Sequence, residues 1–438
     1  METIIAYDLG TGGNKASLYS ADGVCLESVF VPYPTYYPYT GWHEQKPEDW
    51  WHAVVESTKN LLSESTIPKD TIRCLALSGQ SLAVVPLDRN GSLLRDKIPI
   101  WSDTRASAQT DIFFQKIDGN SWYETTGGGF SKECYSIFKV MWYRDNEPDL
   151  YRKISKILGS KDYINFRLTG KMYTDFSYAS GSGIYNLLKK RYDTDLLKAS
   201  AIPGSIFPEI VPSTHSIGKI SADAAKILGL SEDVEVMCGG VDNSCMALGA
   251  GNTEEGNVYL SLGSSAWIAV SSGKPIINKE IKPFVFAHVI PDMFTSATSI
   301  FSAGSTLKWL RDTLCIDLKQ EAKQKQIDPY DLMVDKAMES PIGANRLFFN
   351  PSLAGGSAAY LTPEIRGAFL GIDLLHSQAD IIRAVMEGIA MDLAIMYDKL
   401  AGLCDLSDEV LIVGGGGKSK PWRQMFADIW NRKFVKAN

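Results

Sequence analysis

Short apolar runs ending in glycine alternate along this chain with longer stretches whose apolar positions recur every three or four residues. Ile4-Ile5-Ala6-Tyr7 reads as a buried strand, Pro47–Leu62 has the period of an amphipathic helix, and Ile72–Ser78 reads as a strand again. The order returns near the end, where Val410–Val413 leads through Gly414–Gly417 into the helical pattern Trp422–Trp430. Such alternation predicts α/β layers. Pro32 to Pro38 and Pro203 to Pro212 read as surface connections.

Two strands share a further feature. The run from Ile4 to Leu9 turns through Gly10-Thr11-Gly12-Gly13 and returns through Lys15–Ser20; Val258–Leu262 turns through Gly263-Ser264-Ser265 and returns through Trp267–Val270. Leu-Gly stands at 9–10 and again at 262–263, a separation far too long for a solenoid and suited to a duplicated domain. On the dipeptide alone, coincidence is the simpler account.

Length favours duplication, because 438 residues exceed the roughly 100–200 usual for one domain. With 45% hydrophobic and 22% charged residues the chain has the composition of a soluble globular protein. A net charge of -7 gives no overall pull toward nucleic acid or anionic membrane. The N-terminus lacks the basic-then-apolar pattern of a leader, and no window nears the roughly 18 apolar residues of a membrane-crossing helix. Seven scattered cysteines without a C-x-x-C pair predict reduced thiols in a cytoplasm and neither zinc nor disulfides.

Three glycine-rich stretches carry candidate chemistry. In Asp8-Leu9-Gly10-Thr11-Gly12-Gly13-Asn14-Lys15 a carboxylate ends a strand, and small residues let a ligand approach. Successive amides there can cradle phosphate oxygens, Thr11 and Asn14 can add side-chain donors, and Asp8 stands where Mg²⁺ needs an oxygen. A glycine hairpin is also common scaffolding. In the stretch Met237–Gly251 an apolar strand ends in Gly239-Gly240, presents Asp242-Asn243, and enters a small-residue helix over Ser244–Gly251. Asp242 is placed either to act as a general base or simply to cap that helix. Finally, Gly414–Gly417 with Lys418-Ser419 imitates a P-loop, but the position that pattern reserves for its first glycine holds Ile412. A flat ledge under an adenine ring fits better. The first loop likewise fails G-x-G-x-x-G, which excludes a dinucleotide-binding fingerprint.

These residues resemble the FGGY family of carbohydrate kinases, with xylulokinases the nearest subgroup. The family's C-terminal signature is matched by Gly367–Ile372 and, after seven residues, Asp380–Gly388; its N-terminal signature is approximated around Ser136–Trp142, with Cys134 and Tyr143 departing from it. Trp42-His43-Glu44-Gln45, Trp101-Ser102-Asp103-Thr104-Arg105, Lys161-Asp162-Tyr163 and Ala303-Gly304-Ser305 are further landmarks. The resemblance implies two ribonuclease-H-like α/β domains of the actin and hexokinase superfamily flanking a catalytic cleft: residues 1–252 for sugar and the first phosphate loop, and 253–438 for nucleotide.

It also implies ATP and Mg²⁺ as cofactors, Asp242 as catalytic base and Asp8 as the metal-side carboxylate. Gln80, Ser81, Leu82, Asp242 and Asn243 would meet the sugar. Gly10, Thr11, Gly12, Asn14, Lys15, Gly263, Ser264, Gly304, Lys308, Gly415 and Ser419 would hold ATP. The partner is a small sugar or polyol, with neither nucleic acid nor membrane, and self-association as a homodimer stays open.

Two departures qualify the resemblance. Where xylulokinases carry Gly-Gln-Met-His-Gly, this chain has Gly79-Gln80-Ser81-Leu82-Ala83, which removes an imidazole from the sugar site; a ketopentose such as xylulose, another ketose or a polyol is expected. The Arg-Glu pair of glycerol kinases is absent there too. Family members also continue beyond Lys433–Val435, whereas this sequence stops at Asn438. A truncated nucleotide lobe is therefore expected, with a homologue that binds without efficient turnover as the alternative to an active kinase. A polymerising actin-like ATPase would not need the C-terminal signature.

Overall fold

The computed structural model describes residues 2–356 and 364–436. The chain divides into two compact units: Met1–Met246 with Phe286–Met293, and Ala247–Val285 with Phe294–Asn438.

The first unit is built on strands β1 (Thr3–Leu9), β2 (Gly13–Ser20), β3 (Cys25–Pro32), β4 (Ile72–Gly79), β5 (Ser216–Lys219), β6 (Glu235–Met237) and β7 (Gly240–Val241). They lie in the order β5-β6-β4-β1-β2-β3, with β7 also paired to β4. Neighbours β1, β2 and β3 are antiparallel, while β1, β6 and β7 all run parallel to β4. Alternation in β1 buries Ile5, Tyr7 and Leu9. Helix α1 (Pro47–Glu64), started by proline at its first position, brings Trp50, Val54 and Leu61 to the same core. Helices α2 (Ser136–Asn146), α3 (Ser160–Thr169) and α4 (Phe176–Ser180) follow, and α5 (Asp242–Gly249) leaves the end of β7.

In the second unit β8 (Val258–Leu262), β9 (Ala266–Ser272), β10 (Phe294–Ile300), β11 (Glu409–Val413) and β12 (Lys433–Lys436) lie in the order β10-β9-β8-β11-β12. Their senses are antiparallel, antiparallel, parallel and parallel, as in the series β3-β2-β1-β4-β6. The Leu-Gly echo is thus a duplication of topology, and its two hairpins occupy the same place in each sheet. Helices α6 (Gly304–Thr313), α7 (Gln378–Ala401) and α8 (Lys420–Trp430) belong to the same unit.

The C-terminal signature is a packing device. Helix α7 buries Ile382, Val385, Ile389, Leu393 and Met396 completely, so its polar residues must be satisfied inside the protein. Ser377 and Asp380 form a capping box, and Asp380 Oδ1 also accepts from Ser340 Oγ at 2.6 Å and Asn345 Nδ2 at 2.8 Å. Arg383 pairs with Glu387 at 2.7 Å, one turn further along. A Cβ on Gly388 would stand 2.2 Å from the Phe349 carbonyl, so glycine lets the helix close onto the short strand Phe348–Asn350. Alanine in a helix interior ordinarily stabilises by about 1 kcal/mol over glycine. Gly388→Ala is expected to do the reverse, lowering the unfolding free energy by about 2–3 kcal/mol in urea titrations; an unchanged or raised midpoint would contradict this packing.

Candidate active site

Three parallel strands of the first unit end level with one another. Asp8 of β1 and Gly240 of β7 both stand opposite Ser78 of β4, while Leu9 and Val241 stand opposite Gly79. Asp8 and the start of α5 therefore share the carboxyl-terminal edge of the sheet, where open α/β sheets bind ligands. The chain reaches β7 through Gly239 at φ +72°, where a Cβ would lie 1.9 Å from the Leu77 carbonyl. Only glycine permits that crossing.

The helix after Asp242 begins at Asp242 itself and ends at Gly249, two residues earlier at each end than the sequence pattern suggested. The Asp242 carboxylate accepts the adjacent Asn243 amide at 2.8 Å. Capping aspartates accept from the second or third amide beyond, as Asp118, Asp175 and Asp193 do in this chain. Burial pushes the half-buried Asp242 carboxyl up to about 7, the Asn243 amide pulls it back, and the Asp8 charge raises it further. Asp8 is also raised by burial, although Lys15 and the Ser78 hydroxyl favour its ionised form. Lys15 is exposed and directly opposite Asp8 on β2. Two carboxylates that oppose each other's ionisation, one poised near neutrality, suit proton abstraction beside a site for a hard cation.

The first loop is held from three sides. Tyr33 donates its hydroxyl proton to the Gly10 carbonyl, Gln45 Nε2 donates to the Thr11 carbonyl at 2.7 Å, and Trp101 Nε1 donates to Thr11 Oγ1 at 2.9 Å. Nothing lies within 4 Å of where a Gly12 Cβ would be, so that side is open to a ligand. Asn14 departs from expectation: fully buried, it donates to Ser57 Oγ at 2.8 Å and offers no donor to the loop.

Gln80 is fully buried, and its amide NH₂ donates to Gln45 Oε1 at 2.7 Å. Gln45 thereby joins the segment expected to bind sugar to the phosphate-type loop. Gln80 Oε1 has no protein partner, and Ser81 is half-buried beside it. Leu82 is a second departure. At φ +60° and 2% exposure it packs against Gly181, shaping the segment from behind and offering almost no surface to a ligand. Its carbonyl accepts from Lys139 Nζ at 3.2 Å, and the same ammonium reaches the Ile100 carbonyl at 2.5 Å. Burial pulls that lysine down to about 8. A buried cation thus holds a backbone conformation that leucine rarely adopts.

In the second unit the ends of β8 and β11 are level, since Ser261 stands opposite Val413. Gly304 donates its amide to the Gly263 carbonyl at 2.9 Å, and the amides of Ala303 and Ser305 donate to the Ser264 carbonyl at 3.0 and 2.9 Å. A Cβ on Gly304 would lie 2.5 Å from the Gly263 oxygen, so the hairpin is clamped to the start of α6. Beside it Gly414, at φ +90°, turns the chain past Leu262, and Gly415 faces open space. Gly263, Ser264, Gly304 and Gly415 therefore gather at one edge. Ser419 caps α8 through the Trp422 amide at 3.3 Å, and Lys308 pairs with Asp312 at 3.1 Å, so both polar groups already have structural partners.

Gln45, Lys139, Lys161, Asp175 and Ser177 had no assigned role from the sequence. Gln45, Lys139 and Lys161 lie in family landmarks, but the contacts of Gln45 with Gln80, of Lys139 with Leu82 and Ile100, and of Lys161 with Asp175 and Cys238 join separate segments that only the fold brings together.

Known proteins share this sequence pattern and fold. The N-terminal domain model of the FGGY family of carbohydrate kinases matches residues 3–249 and the C-terminal domain model matches 258–438. The chain belongs to the FGGY family of carbohydrate kinases and is a sugar kinase. It is 31% identical to the xylulose kinase of Staphylococcus xylosus over 431 residues, covering 98% of this chain and 86% of that one. The ligand-bound crystal structure of xylulose kinase from Lactobacillus acidophilus superposes with a TM-score of 0.89 at 28% identity, over 100% of this chain and 86% of that one. Gluconate kinase from Lactobacillus acidophilus gives a TM-score of 0.88 at 27% identity, over 99% and 85%.

The raised pKa of Asp242 has a consequence for stability. An aspartate in an unfolded chain ionises near about 3.9. Folding favours the protonated form, so this contribution is fully present below that value and is lost as pH rises through about 7. Asp242→Asn, which keeps the acceptor for Asn243 and carries no charge, is expected to melt above the wild type at pH 8, with the gain shrinking toward pH 5. A melting point below wild type at pH 8 would contradict the raised pKa.

Proposed function

We infer that the chain is an ATP- and Mg²⁺-dependent kinase whose acceptor is a small polyhydroxylated sugar, a ketopentose such as xylulose or a related ketose or polyol. The observation that carries the reading is Asp242, a half-buried carboxylate poised near 7 beside Asp8. In this reading Asp242 takes the proton from the acceptor hydroxyl as its oxygen attacks the γ-phosphorus and the bond to ADP breaks. Asn243 orients the sugar with Ser81 beside it, and Gln80, fully buried with its Oε1 enclosed, steadies that segment through Gln45.

Within the first unit Gly10, Thr11, Gly12 and Lys15 would meet phosphate oxygens, and within the second Gly263, Ser264, Gly304, Gly415 and Ser419 would meet the nucleotide, through backbone amides and polar side chains. Lys308 would contribute only by leaving Asp312, and Asn14 is not retained. Residues 1–252 would supply the sugar side and 253–438 the nucleotide side. Among the described residues no three His, Cys, Asp or Glu side chains group as a metal cage. That suits Mg²⁺, which keeps several waters and needs one or two carboxylates together with substrate phosphates. Asp8, accessible at the strand end, fits as that carboxylate. When bound, the ion neutralises charge on the phosphates.

Coupled ADP-release assays with ketoses, polyols and gluconate test the reading. Sugar-dependent ADP release is expected from at least one ketose or polyol, with a rate that falls below about pH 7 as Asp242 protonates. Asp242→Asn should lower kcat by about 10²- to 10⁴-fold. Release from gluconate alone would move the acceptor class to sugar acids, and no sugar-stimulated release from folded protein would defeat the reading.

A further inference from the structure

The landmark Lys161-Asp162-Tyr163 has no part in the chemistry above, yet it leads to Asp242. The four residues before Asp242 are fastened one by one from neighbouring elements. The Cys238 carbonyl accepts from Lys161 Nζ at 3.2 Å and from Asn165 Nδ2 at 2.8 Å, both on α3. The Gly239 amide donates to the Ser213 carbonyl at 2.9 Å. Gly240 pairs on β4 with Ser177 Oγ close by, and the Val241 amide donates to that same Ser177 Oγ at 2.9 Å.

Behind these contacts stands one carboxylate. Asp175 Oδ2 accepts from Ser177 Oγ at 2.5 Å and from Ser213 Oγ at 2.7 Å, while Oδ1 pairs with Lys161 Nζ at 3.0 Å. Lys161 also pairs with Asp162 at 2.6 Å. Asp175, Ser177, Lys161 and Asp162 are almost wholly buried. Burial alone would neutralise Lys161, but Asp162 and Asp175 hold it well above its ordinary range. Ser177 links the two halves, since its hydroxyl donates to Asp175 and accepts from Val241.

The geometry points to Ser177, backed by Asp175 and Lys161, as the positioning residue that fixes the backbone from which Asp242 projects. The inference rests on the reading of Asp242 as catalytic base. The Ser177 hydroxyl hydrogen-bonds to Asp175 and Val241 and not to the Asp242 carboxylate or a group assigned to sugar or ATP, so its effect belongs to the chemical step. A displacement of about 1 Å at a reacting group can cost on the order of 10²-fold in rate.

The test compares steady-state kinetics of Ser177→Ala, Ser177→Cys and Ser177→Thr with wild type and Asp242→Asn, each verified as folded by its melting transition. Ser177→Ala should lower kcat by roughly 10- to 100-fold, with both KM values within about threefold of wild type. Ser177→Thr, which keeps the hydroxyl, should recover most of the rate. Ser177→Cys, with a weaker donor and acceptor, should fall between them and serves in place of alanine should that variant not fold. Wild-type kcat in the alanine or cysteine variant, or losses that threonine does not relieve, would overturn the positioning role while leaving Asp242 as base. An active Asp242→Asn would overturn the base assignment and this inference with it.

Discussion

Parallel pairing of Ile72–Gly79 with Thr3–Leu9 on one side and Gly240–Val241 on the other is the constraint on which the first unit's chemistry depends. It sets Asp8 and Asp242 at one edge of the sheet, close enough for the Asp8 charge to raise the cost of ionising Asp242. Burial then carries Asp242 to about 7. Asp8 stays nearer to its ordinary state because Lys15 is its cross-strand neighbour and Ser78 bonds it. One strand register thus gives two aspartates different proton affinities, the condition for one to take a proton while the other remains charged.

Duplication explains why the second unit repeats the scaffold without repeating the carboxylates. The same order of strand senses puts the Gly263–Ser265 hairpin where the first unit has Gly10–Gly12. No acid ends β8; Leu262 precedes the turn and Ser264 follows it. In place of acids the second edge gathers glycines and backbone amides, with Gly304 clamping the hairpin and Gly415 leaving open space. The charged residues of the C-terminal signature lie elsewhere, satisfying the buried helix Gln378–Ala401. Within the described residues, that signature marks how the second unit packs.

Much of this was legible in the sequence because strand, glycine turn and helix leave local patterns. The hairpins, Pro47–Glu64 and Glu409–Val413 lie where those patterns put them, and the helix after Val241 begins two residues earlier, at Asp242. The surroundings of Asp242 were not legible locally, since its raised pKa depends on burial and on Asp8, far away in the chain. Asn14 could have been read correctly: strand alternation puts it with the buried Ala16 and Leu18, and Lys15 on the opposite face. Lys308 and Asp312 are four residues apart on a helix and so are natural partners. Ser419 precedes Lys420-Pro421, the pattern of a helix start. Leu82 was beyond sequence reading, because its left-handed conformation depends on a lysine buried against its carbonyl. The links through Gln45, Asp175 and Ser177 were equally hidden, since neutral or paired polar residues carry no periodicity of their own.

The claim beneath the whole account is that folding holds one aspartate poised near neutrality. A ¹³C NMR titration of the aspartate carboxyl groups, in wild type and Asp242→Asn without ligands, measures it directly. One carboxyl resonance should titrate near 7 in the wild type and be missing from the variant. The same set of titrations in both proteins, with every aspartate ionised by about pH 5, would contradict it.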